Sequence, residues 1–273
     1  MTADPAAPLA GRVALVTGAS RGTGRAIAAA LAAHGADLVL AARDEGELAT
    51  LAQEIERLGR RALVASTDLQ DPAAAAEHPA RANASFGRLD ILVNNAGGAG
   101  AYVEGGSAGL LGTTLAAWDG VMQLNLRGPY LVAQAAARIM VPQRRGTILN
   151  ITSIHGIFPR HTYHAYSAAK VALNALTAMW AVELGEYGIR VNAIAPGIIE
   201  AGRNGARLLT SPAARTEREA MIPLGRLGVP AEMAALAVFL VSDAAAYISG
   251  AVIPAGGGWR GDNERLTRVG NPA

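Results

Sequence analysis

A tyrosine and a lysine stand four residues apart, at Tyr166 and Lys170, in a stretch that is predicted to be helical. This spacing places both side chains on one helical face. A phenol with a pKa of about 10 is a poor acid–base catalyst at neutral pH, but a neighbouring ammonium favours the phenolate and lowers that pKa. Lys170 is also the single lysine in a chain whose other basic residues are arginines, and only a lysine can be tuned to release a proton.

Two further polar residues, Ser153 and Asn125, belong to the same hypothesis. Ser153 follows the predicted strand at 146–151, a suitable place from which to hydrogen-bond a substrate oxygen. Asn125 lies among apolar residues of a predicted long helix, where a polar side chain needs a buried partner. Each residue alone is typical of ordinary structure. Together, on a nucleotide-binding fold, they indicate catalysis.

A glycine-rich turn is the second candidate site, with the sequence Thr17-Gly18-Ala19-Ser20-Arg21-Gly22-Thr23-Gly24. It follows a predicted strand and precedes a predicted helix. Glycine lets the backbone approach a pyrophosphate closely, and the amides and dipole of the helix start favour its charge. An ordinary glycine-rich turn is the alternative, but dinucleotide binding requires this strand–turn–helix setting.

The residues after the second predicted strand bear on the choice of cofactor. An NAD site usually has an acid here for the ribose 2′-hydroxyl, whereas an NADP site has an arginine near the 2′-phosphate. Ala42 offers no carboxylate, and Arg43 and Arg21 could both reach a phosphate. We expect NADP(H) to be preferred, with NAD(H) possible. Two solvated surface arginines are the alternative.

The run Asn94-Asn95-Ala96-Gly97 directly follows the fourth predicted strand. Small residues and amides at a strand's carboxyl end suit a wall of an adenosine crevice. A structural turn, in which the asparagine side chains cap neighbouring backbone, is the alternative, and both can hold.

These candidate sites need a scaffold, and the apolar pattern predicts one in which strands and helices alternate. Strands are predicted at 12–17, 37–42, 62–66, 90–93, 146–151, 189–194 and 251–255. Helices are predicted at 25–34, 45–58, 72–86, 115–140, 163–187 and 230–241, with a break near 128–129. The alternation predicts an α/β fold: a single Rossmann-type doubly wound parallel sheet of seven strands with helices on both faces. An eight-stranded barrel is the main rival, but seven strands and an early glycine turn favour the open sheet.

Composition narrows the class of protein. The chain has 273 residues, of which 51% are hydrophobic and 17% charged, enough for one domain with a sizeable core. The absence of cysteine excludes disulfides and thiolate metal sites, and a net charge of +2 gives little reason to expect nucleic-acid binding. Neither a signal peptide nor a membrane span is predicted, so we expect a cytoplasmic protein. Residues 1–8 and 259–273 are predicted to be tails of a single domain with its core at 9–258.

In order and spacing, these motifs resemble the short-chain dehydrogenase/reductase superfamily, in its subgroup of about 250 residues. The matching positions are 17–24, 94–97, Asn125, Ser153, Tyr166, Lys170 and Pro196-Gly197. The resemblance implies that Tyr166 is the general acid/base and that Ser153 polarises or positions the substrate oxygen. It also implies that Lys170 lowers the pKa of Tyr166 and binds the nicotinamide ribose, and that Asn125 holds a water behind Lys170.

The same resemblance implies a cofactor site along the carboxyl edge of the sheet, made by Gly18, Ser20, Arg21, Gly22, Thr23, Gly24, Arg43, Asp68, Leu69, Asn95, Ala96, Gly97, Tyr166, Lys170, Pro196, Gly197 and Ile199. Asp68 and Leu69 fall where the family contacts the adenine ring, and the last three residues flank the nicotinamide. The sequence departs from the family at Thr23, usually isoleucine, and at Ala201, often a threonine that bonds the cofactor. The segment 98–117 is also about six residues longer than in many relatives.

The substrate site is expected near Ser153 and Tyr166, with His155, Phe158, His161 and Tyr163 as candidate lining residues. No metal site is predicted, because the histidine pair at 161 and 164 has no carboxylate nearby in the sequence. The predicted long helices are apolar on more than one face, which requires burial on both sides. Because these helices form a dimer interface in the resembled family, a homotetramer is expected.

We therefore expect an NADP(H)-preferring oxidoreductase that transfers a hydride between nicotinamide and a ketone or secondary alcohol, with no nucleic-acid or membrane partner. An NAD(H)-dependent secondary-alcohol dehydrogenase and a 3-oxoacyl thioester reductase are the alternatives of the same class. Leu131 and Tyr187 stand where carrier-protein-dependent relatives often have basic residues, which disfavours the thioester. A cofactor-sensing regulator and a sugar-nucleotide epimerase are further alternatives, but all four catalytic positions and the short chain argue against them.

Overall fold

The computed structural model describes residues 7–98, 109–201 and 211–259. The strands in these ranges are β1 (Val13–Thr17), β2 (Asp37–Ala42), β3 (Ala62–Ser66), β4 (Ile91–Asn94), β5 (Gly146–Ile151), β6 (Ile189–Pro196) and β7 (Val252–Ala255). The α-helices are α1 (Gly22–Ala33), α2 (Glu45–Arg57), α3 (Pro72–Phe86), α4 (Gly109–Gly112), α5 (Leu115–Met122), α6 (Gly128–Gln143), α7 (His164–Gly185), α8 (Pro212–Ala220) and α9 (Pro230–Val241). A π-helical segment (Gln123–Arg127) joins α5 to α6.

The seven strands form one sheet in the order β3-β2-β1-β4-β5-β6-β7, and every neighbouring pair is parallel. Leu15 of β1 aligns with Val39 on one side and with Leu92 on the other. The chain runs outward from β1 in both directions, so the strand order reverses between β1 and β4. This reversal opens a crevice at their carboxyl ends, where ligands of such sheets bind. The predicted fold class is confirmed.

Alternate residues of β1 enter two cores, one on each face of the sheet. Ala14 and Val16 belong to a cluster that includes residues of α1, α2 and α9, whereas Val13 and Leu15 belong to a cluster with residues of α3, α6 and α7. All four side chains are buried. Burial on both faces explains why the strands read as continuous apolar runs. Each buried leucine or valine contributes about 1.5–3 kcal/mol to folding.

Two helix predictions need correction. The helix predicted to start at Arg25 starts at Gly22, because the later glycines of the motif form its first turn. The helix predicted at 115–140 is three elements, and its interruption at Gln123–Arg127 comes just before the break expected near 128–129. A π-helix has one more residue between hydrogen-bond partners than an α-helix, and short π segments are frequent at functional sites.

None of the helices in the described ranges combines the length and the hydropathy that crossing a bilayer demands.

Candidate functional site

The turn between β1 and α1 is shaped by glycines at positions that a side chain could not occupy. Gly18 and Gly22 have φ of +67° and +57°, in the left-handed region that favours glycine. A Cβ on Gly18 would lie 2.9 Å from Ala96 Cα, and one on Gly24 would meet the Gly18 carbonyl. In the described structure, no side chain caps the start of α1. Its first amides are therefore left for an anionic group.

Thr17 and Asn95 join this turn to the end of β4. The Asn95 side-chain amide donates to the carbonyls of Thr17 (2.9 Å) and Gly18 (3.2 Å). In return, the Thr17 hydroxyl oxygen accepts from the amides of Asn95 (3.0 Å) and Ala96 (3.1 Å). Asn95 thus caps backbone, as one of the two readings of 94–97 expected. Thr17 belongs to the predicted glycine-rich motif but was not among the predicted cofactor-binding residues, although a threonine at a strand end before a glycine turn is a usable signal.

The two arginines expected to recognise a phosphate each face a carboxylate. Arg21 Nη2 lies 3.2 Å from Asp44 Oδ2, and Arg43 Nη1 lies 3.6 Å from Asp68 Oδ2. The four side chains are 44–50% exposed. Exposed ion pairs of this kind stabilise a protein by at most about 1 kcal/mol. A phosphate, which accepts charge-assisted hydrogen bonds from arginine, can therefore compete for both guanidinium groups.

Tyr166 and Lys170 lie in the first two turns of α7, and Ser153 follows β5 across from them. The Ser153 hydroxyl lies beside the Tyr166 phenol and interacts with it. Lys170 Nζ donates to the Ile151 carbonyl at 3.1 Å and lies 5.7 Å from the centroid of the Tyr166 ring. Lys170 is only 2% exposed, so its ammonium lies directly beneath the phenol and away from solvent.

Burial controls the protonation of this pair. Burial raises the pKa of Tyr166 most strongly. The adjacent Ser153 hydroxyl lowers this pKa, and the neighbouring Tyr163 raises it. Burial also lowers the pKa of Lys170 to about 8. The direction for Tyr166 is opposite to the lowering expected from Lys170. The reason is that burial disfavours the phenolate strongly, while the ammonium is directed at the Ile151 carbonyl.

Asn125 occupies the middle of the π-helical segment and is completely buried. Its Oδ1 accepts from the Gly98 amide at 2.9 Å, and its Nδ2 donates to the carbonyls of Gly98 (3.1 Å) and Val121 (2.9 Å). In an α-helix, the Val121 carbonyl would accept from the Asn125 backbone amide. The side chain therefore supplies a donor that the irregular backbone withholds, and these are the buried partners that the sequence required.

Gly97 separates Asn125 from Lys170. A Cβ at this position would lie 2.7 Å from Asn125 Oδ1 and 3.2 Å from Lys170 Nζ. Since neither neighbour is exposed, only glycine fits between them. The predicted catalytic residues thus form one continuous cluster at the carboxyl edge of β4 and β5.

Aromatic rings surround the phenol on the side of the expected substrate. The His155 ring lies 5.5 Å from that of Tyr163, 6.4 Å from that of Tyr166 and 5.2 Å from that of Trp259, measured between centroids. Trp259, at the start of the predicted C-terminal tail, is 5% exposed and packs in a cluster against which Phe158 also lies. Trp259 is not among the predicted site residues, because a tryptophan in a polar terminal stretch gives no periodic signal.

The chain after β6 completes the edge. Pro196 is the last residue of β6, and a Cβ on Gly197 would lie 2.6 Å from Gly256 Cα, so two glycine-bearing loops meet there. Ile199 forms an isolated parallel bridge with Gly228. The Ala201 amide donates to the Ile199 carbonyl at 2.8 Å, which ends the described part of this loop.

The chain was compared with known proteins. A family model described as enoyl-(acyl carrier protein) reductase matches residues 18–260. L-rhamnose 1-dehydrogenase (NAD(P)(+)) of Sphingomonas sp. (strain SKA58) is 37% identical, over 92% of this chain and 96% of the relative. Cis-4-hydroxycyclohexanecarboxylate dehydrogenase of Sinomonas cyclohexanicum is 39% identical, over 91% and 96%. The crystal structure of a short-chain type dehydrogenase/reductase from Mycobacterium marinum superposes with a TM-score of 0.82 at 35% identity, over 92% and 96%.

The chain belongs to the short-chain dehydrogenase/reductase family. It is an NAD(P)-dependent oxidoreductase of the class that acts on alcohols and ketones. Its own geometry fits a dinucleotide, because the glycine turn has no room for side chains and the start of α1 is uncapped.

Not every predicted site residue of this short-chain dehydrogenase/reductase joins the cluster. His161 is exposed, and its carbonyl lies 4.0 Å from where a Gly109 Cβ would be, towards α4. Leu69 is 6% exposed, and its side chain belongs to the core beside α6. In the longer segment 98–117, residues 99–108 lie outside the described residues. No three His, Asp or Glu side chains of the described part are grouped as a metal site would need.

Proposed function

We propose that this enzyme prefers NADP(H) and interconverts a ketone and a secondary alcohol, with Tyr166 as general acid/base. The observation that carries the proposal is the position of the Ser153 hydroxyl beside the Tyr166 phenol, with the buried ammonium of Lys170 5.7 Å from the centroid of the Tyr166 ring. A hydroxyl pair of this kind can hold one substrate oxygen between a proton donor and a hydrogen-bond donor.

The nicotinamide of the cofactor supplies or accepts the hydride. In reduction, the Tyr166 phenol gives its proton to the carbonyl oxygen as the carbonyl carbon gains the hydride, and the Ser153 hydroxyl donates a hydrogen bond to the same oxygen. Because burial raises the pKa of Tyr166, the phenol keeps its proton at neutral pH until the substrate takes it. The ammonium of Lys170 stabilises the phenolate that remains. In oxidation, the phenolate accepts the hydroxyl proton.

We propose that Asn125 acts through the backbone at 97–98. Its three hydrogen bonds to Gly98 and Val121 fix the chain that passes between it and Lys170. This arrangement holds Gly97 against Lys170, since a Cβ at that position would lie 3.2 Å from Lys170 Nζ.

The preference for NADP(H) rests on Arg21 and Arg43, which lie beyond the carboxyl ends of β1 and β2. Fluorescence titration with NADPH and NADH side by side tests it, using Arg43→Ala and, as a matched control, Arg57→Ala at the exposed end of α2. Loss of a hydrogen bond to a charged group should weaken NADPH binding about 10- to 100-fold and leave NADH binding unchanged. Equal affinity of the unaltered protein for both cofactors would refute the preference.

The substrate we propose is a cyclic or otherwise bulky apolar secondary alcohol or its ketone. The rings of His155, Tyr163 and Trp259 provide an aromatic wall beside Tyr166, and a similar relative is named for a hydroxycyclohexane substrate. A screen should compare cyclic ketones, short linear ketones and a 3-oxoacyl thioester. Tyr166→Phe should keep NADPH binding and lose turnover of every active substrate. Turnover that survives in Tyr166→Phe would contradict the mechanism.

We propose a homotetramer in which the apolar outer face of α7 forms one of the subunit interfaces. Val171, Met179 and Val182 on this face are 43%, 62% and 85% exposed. Such a stripe is buried when a second copy covers it. Light scattering at micromolar concentration should give a tetramer, and a monodisperse monomer would refute the assembly.

A further inference from the structure

The loop after β3 is tied to the π-helical segment by one side chain. Gln123 Nε2 donates to the Gln70 carbonyl at 3.1 Å. At the other end of the segment, a Cβ on Gly128 would lie 3.1 Å from the Leu69 carbonyl oxygen and 3.3 Å from that of Gln123. The backbone of the loop therefore contacts both ends of the π-helical segment. The Gln123 side chain makes the hydrogen bond that joins the loop to the segment.

The two ends of this tie lie in different parts of the proposed site. On the loop side, Asp68 Oδ1 accepts from the Gln70 amide at 3.0 Å, and Asp68 Oδ2 faces Arg43. The carboxyl ends of β2 and β3 are where the adenosine half of a dinucleotide lies on such a sheet. On the helix side, Asn125 follows Gln123 by two residues within the same irregular turn and contacts the chain at 97–98.

We propose that Gln123 is a positioning residue that couples the adenosine side of the cofactor site to Asn125. The inference rests on the proposed NADP(H) site. A π segment is rare and occurs mostly as a single turn within an α-helix, frequently at a functional site, and here the Gln123 side chain joins that turn to the loop after β3. Ordering of the loop by the adenosine moiety holds the Gln70 carbonyl in place, and the Gln123 amide transmits this order to the segment that carries Asn125.

Hydrogen exchange read by mass spectrometry tests the coupling without turnover. The probe is adenosine 2′,5′-bisphosphate, which contains the adenosine half of NADP and no nicotinamide. In the unaltered protein, the probe should slow exchange of the peptide covering 121–127 about three- to tenfold, the protection of one hydrogen bond. In Gln123→Met, which keeps the length of the side chain but removes the donor, the probe should still bind and the slowing should disappear. Gln53→Met, on the exposed face of α2, is the matched control and should behave as the unaltered protein.

The outcomes separate the possible failures. Equal probe-induced slowing in the unaltered protein and in Gln123→Met would overturn the coupling. The coupling would also be overturned if Gln123→Met exchanged faster than the unaltered protein by the same factor whether or not the probe is present, because that result marks a merely structural role. No calorimetric binding of the probe to the unaltered protein would refute the proposed NADP(H) site and the coupling with it. Gln123→Lys keeps a donor that can reach the Gln70 carbonyl and should restore the slowing. If Gln123→Lys binds the probe but does not restore the slowing of exchange, the proposal is also contradicted.

Discussion

Gly97→Ala tests the tight contact between the catalytic side chains with the addition of a single methyl group. The new carbon would lie 2.7 Å from Asn125 Oδ1, whereas non-bonded heavy atoms rest at about 3.5–4.0 Å. Asn125 Oδ1 must therefore move by about 0.8 Å or more, although it accepts from the Gly98 amide and its amide nitrogen is held by two carbonyls. Gly97 lies outside the left-handed region, so alanine adds no backbone strain there.

The cost of Gly97→Ala follows from these bonds. Breaking one buried hydrogen bond of Asn125 and leaving its partner unsatisfied costs about 1–3 kcal/mol. If this cost falls on the transition state, kcat/KM for ketone reduction drops about 10- to 100-fold. Thermal unfolding, recorded beside the kinetics, shows how much of the cost falls on the fold instead.

Gly46→Ala is the matched control for this substitution. Gly46 is exposed in the first turn of α2, and a Cβ there would have no neighbour closer than 3.9 Å. Replacing such a glycine with alanine stabilises a protein by about 0.4–1 kcal/mol. Gly46→Ala should leave kcat/KM unchanged. Wild-type kcat/KM and Tm in Gly97→Ala would refute the reasoning, because they would show that Asn125 and Lys170 separate without penalty.

Three further predictions concern protonation and packing. Burial lowers the pKa of Lys170 to about 8, so kcat/KM for reduction should be level below pH 8 and fall above it as the ammonium is lost; a rate that still rises at pH 9 would contradict this. Burial lowers the pKa of His78 from 6.5 to about 4, so the unfolded chain binds the proton more readily between these values and the free energy of unfolding should fall by about 3 kcal/mol from pH 6.5 to pH 4. Denaturant titrations should show a shallower decline for His78→Leu, and an equal decline in both proteins would count against the assignment. Trp259→Ala should lower stability by about 3–5 kcal/mol because a buried ring is lost, with a smaller effect for Trp259→Phe; an unchanged Tm for the alanine variant would show that the ring does not pack.

The fold could be predicted from the sequence because the five inner strands of the sheet are buried on both faces. Runs such as 13–16 and 38–42 are apolar without interruption, and this pattern has few interpretations other than a parallel sheet between helices. Glycines at 35 and 59 end the first two helices at left-handed positions, so the element order was readable as well.

The shape of the long helix could not be predicted, because its cause lies in tertiary contacts. The largely apolar sequence around Asn125 is compatible with an α-helix and with a π-helix alike. In the π turn, the Asn125 side chain makes hydrogen bonds to the backbone of Gly98, which is distant in sequence. The sequence could show that Asn125 needs a buried partner, but not that the partner is backbone.

The electrostatics of the site were predicted only in part. The spacing of Tyr166 and Lys170 identified the pair, but the pKa of the phenol depends on how deeply α7 and the loop after β5 bury it. In the same way, Arg21 and Arg43 were identified as cations near a strand end. Their pairing with Asp44 and Asp68 depends on the pairing of β2 with β1 and with β3, which no local pattern encodes.

Lys170, the single lysine of the sequence, lies in the cluster of predicted catalytic residues and is 2% exposed. Acylating reagents such as N-hydroxysuccinimide esters therefore find no other lysine side chain to modify. With a pKa of about 8, a large fraction of this amine is uncharged and nucleophilic in mildly alkaline buffer once reagent reaches it. The rate at which the peptide containing Lys170 gains an acyl group is thus a direct measure of how often this cluster opens, read from one mass shift with no competing lysine adducts.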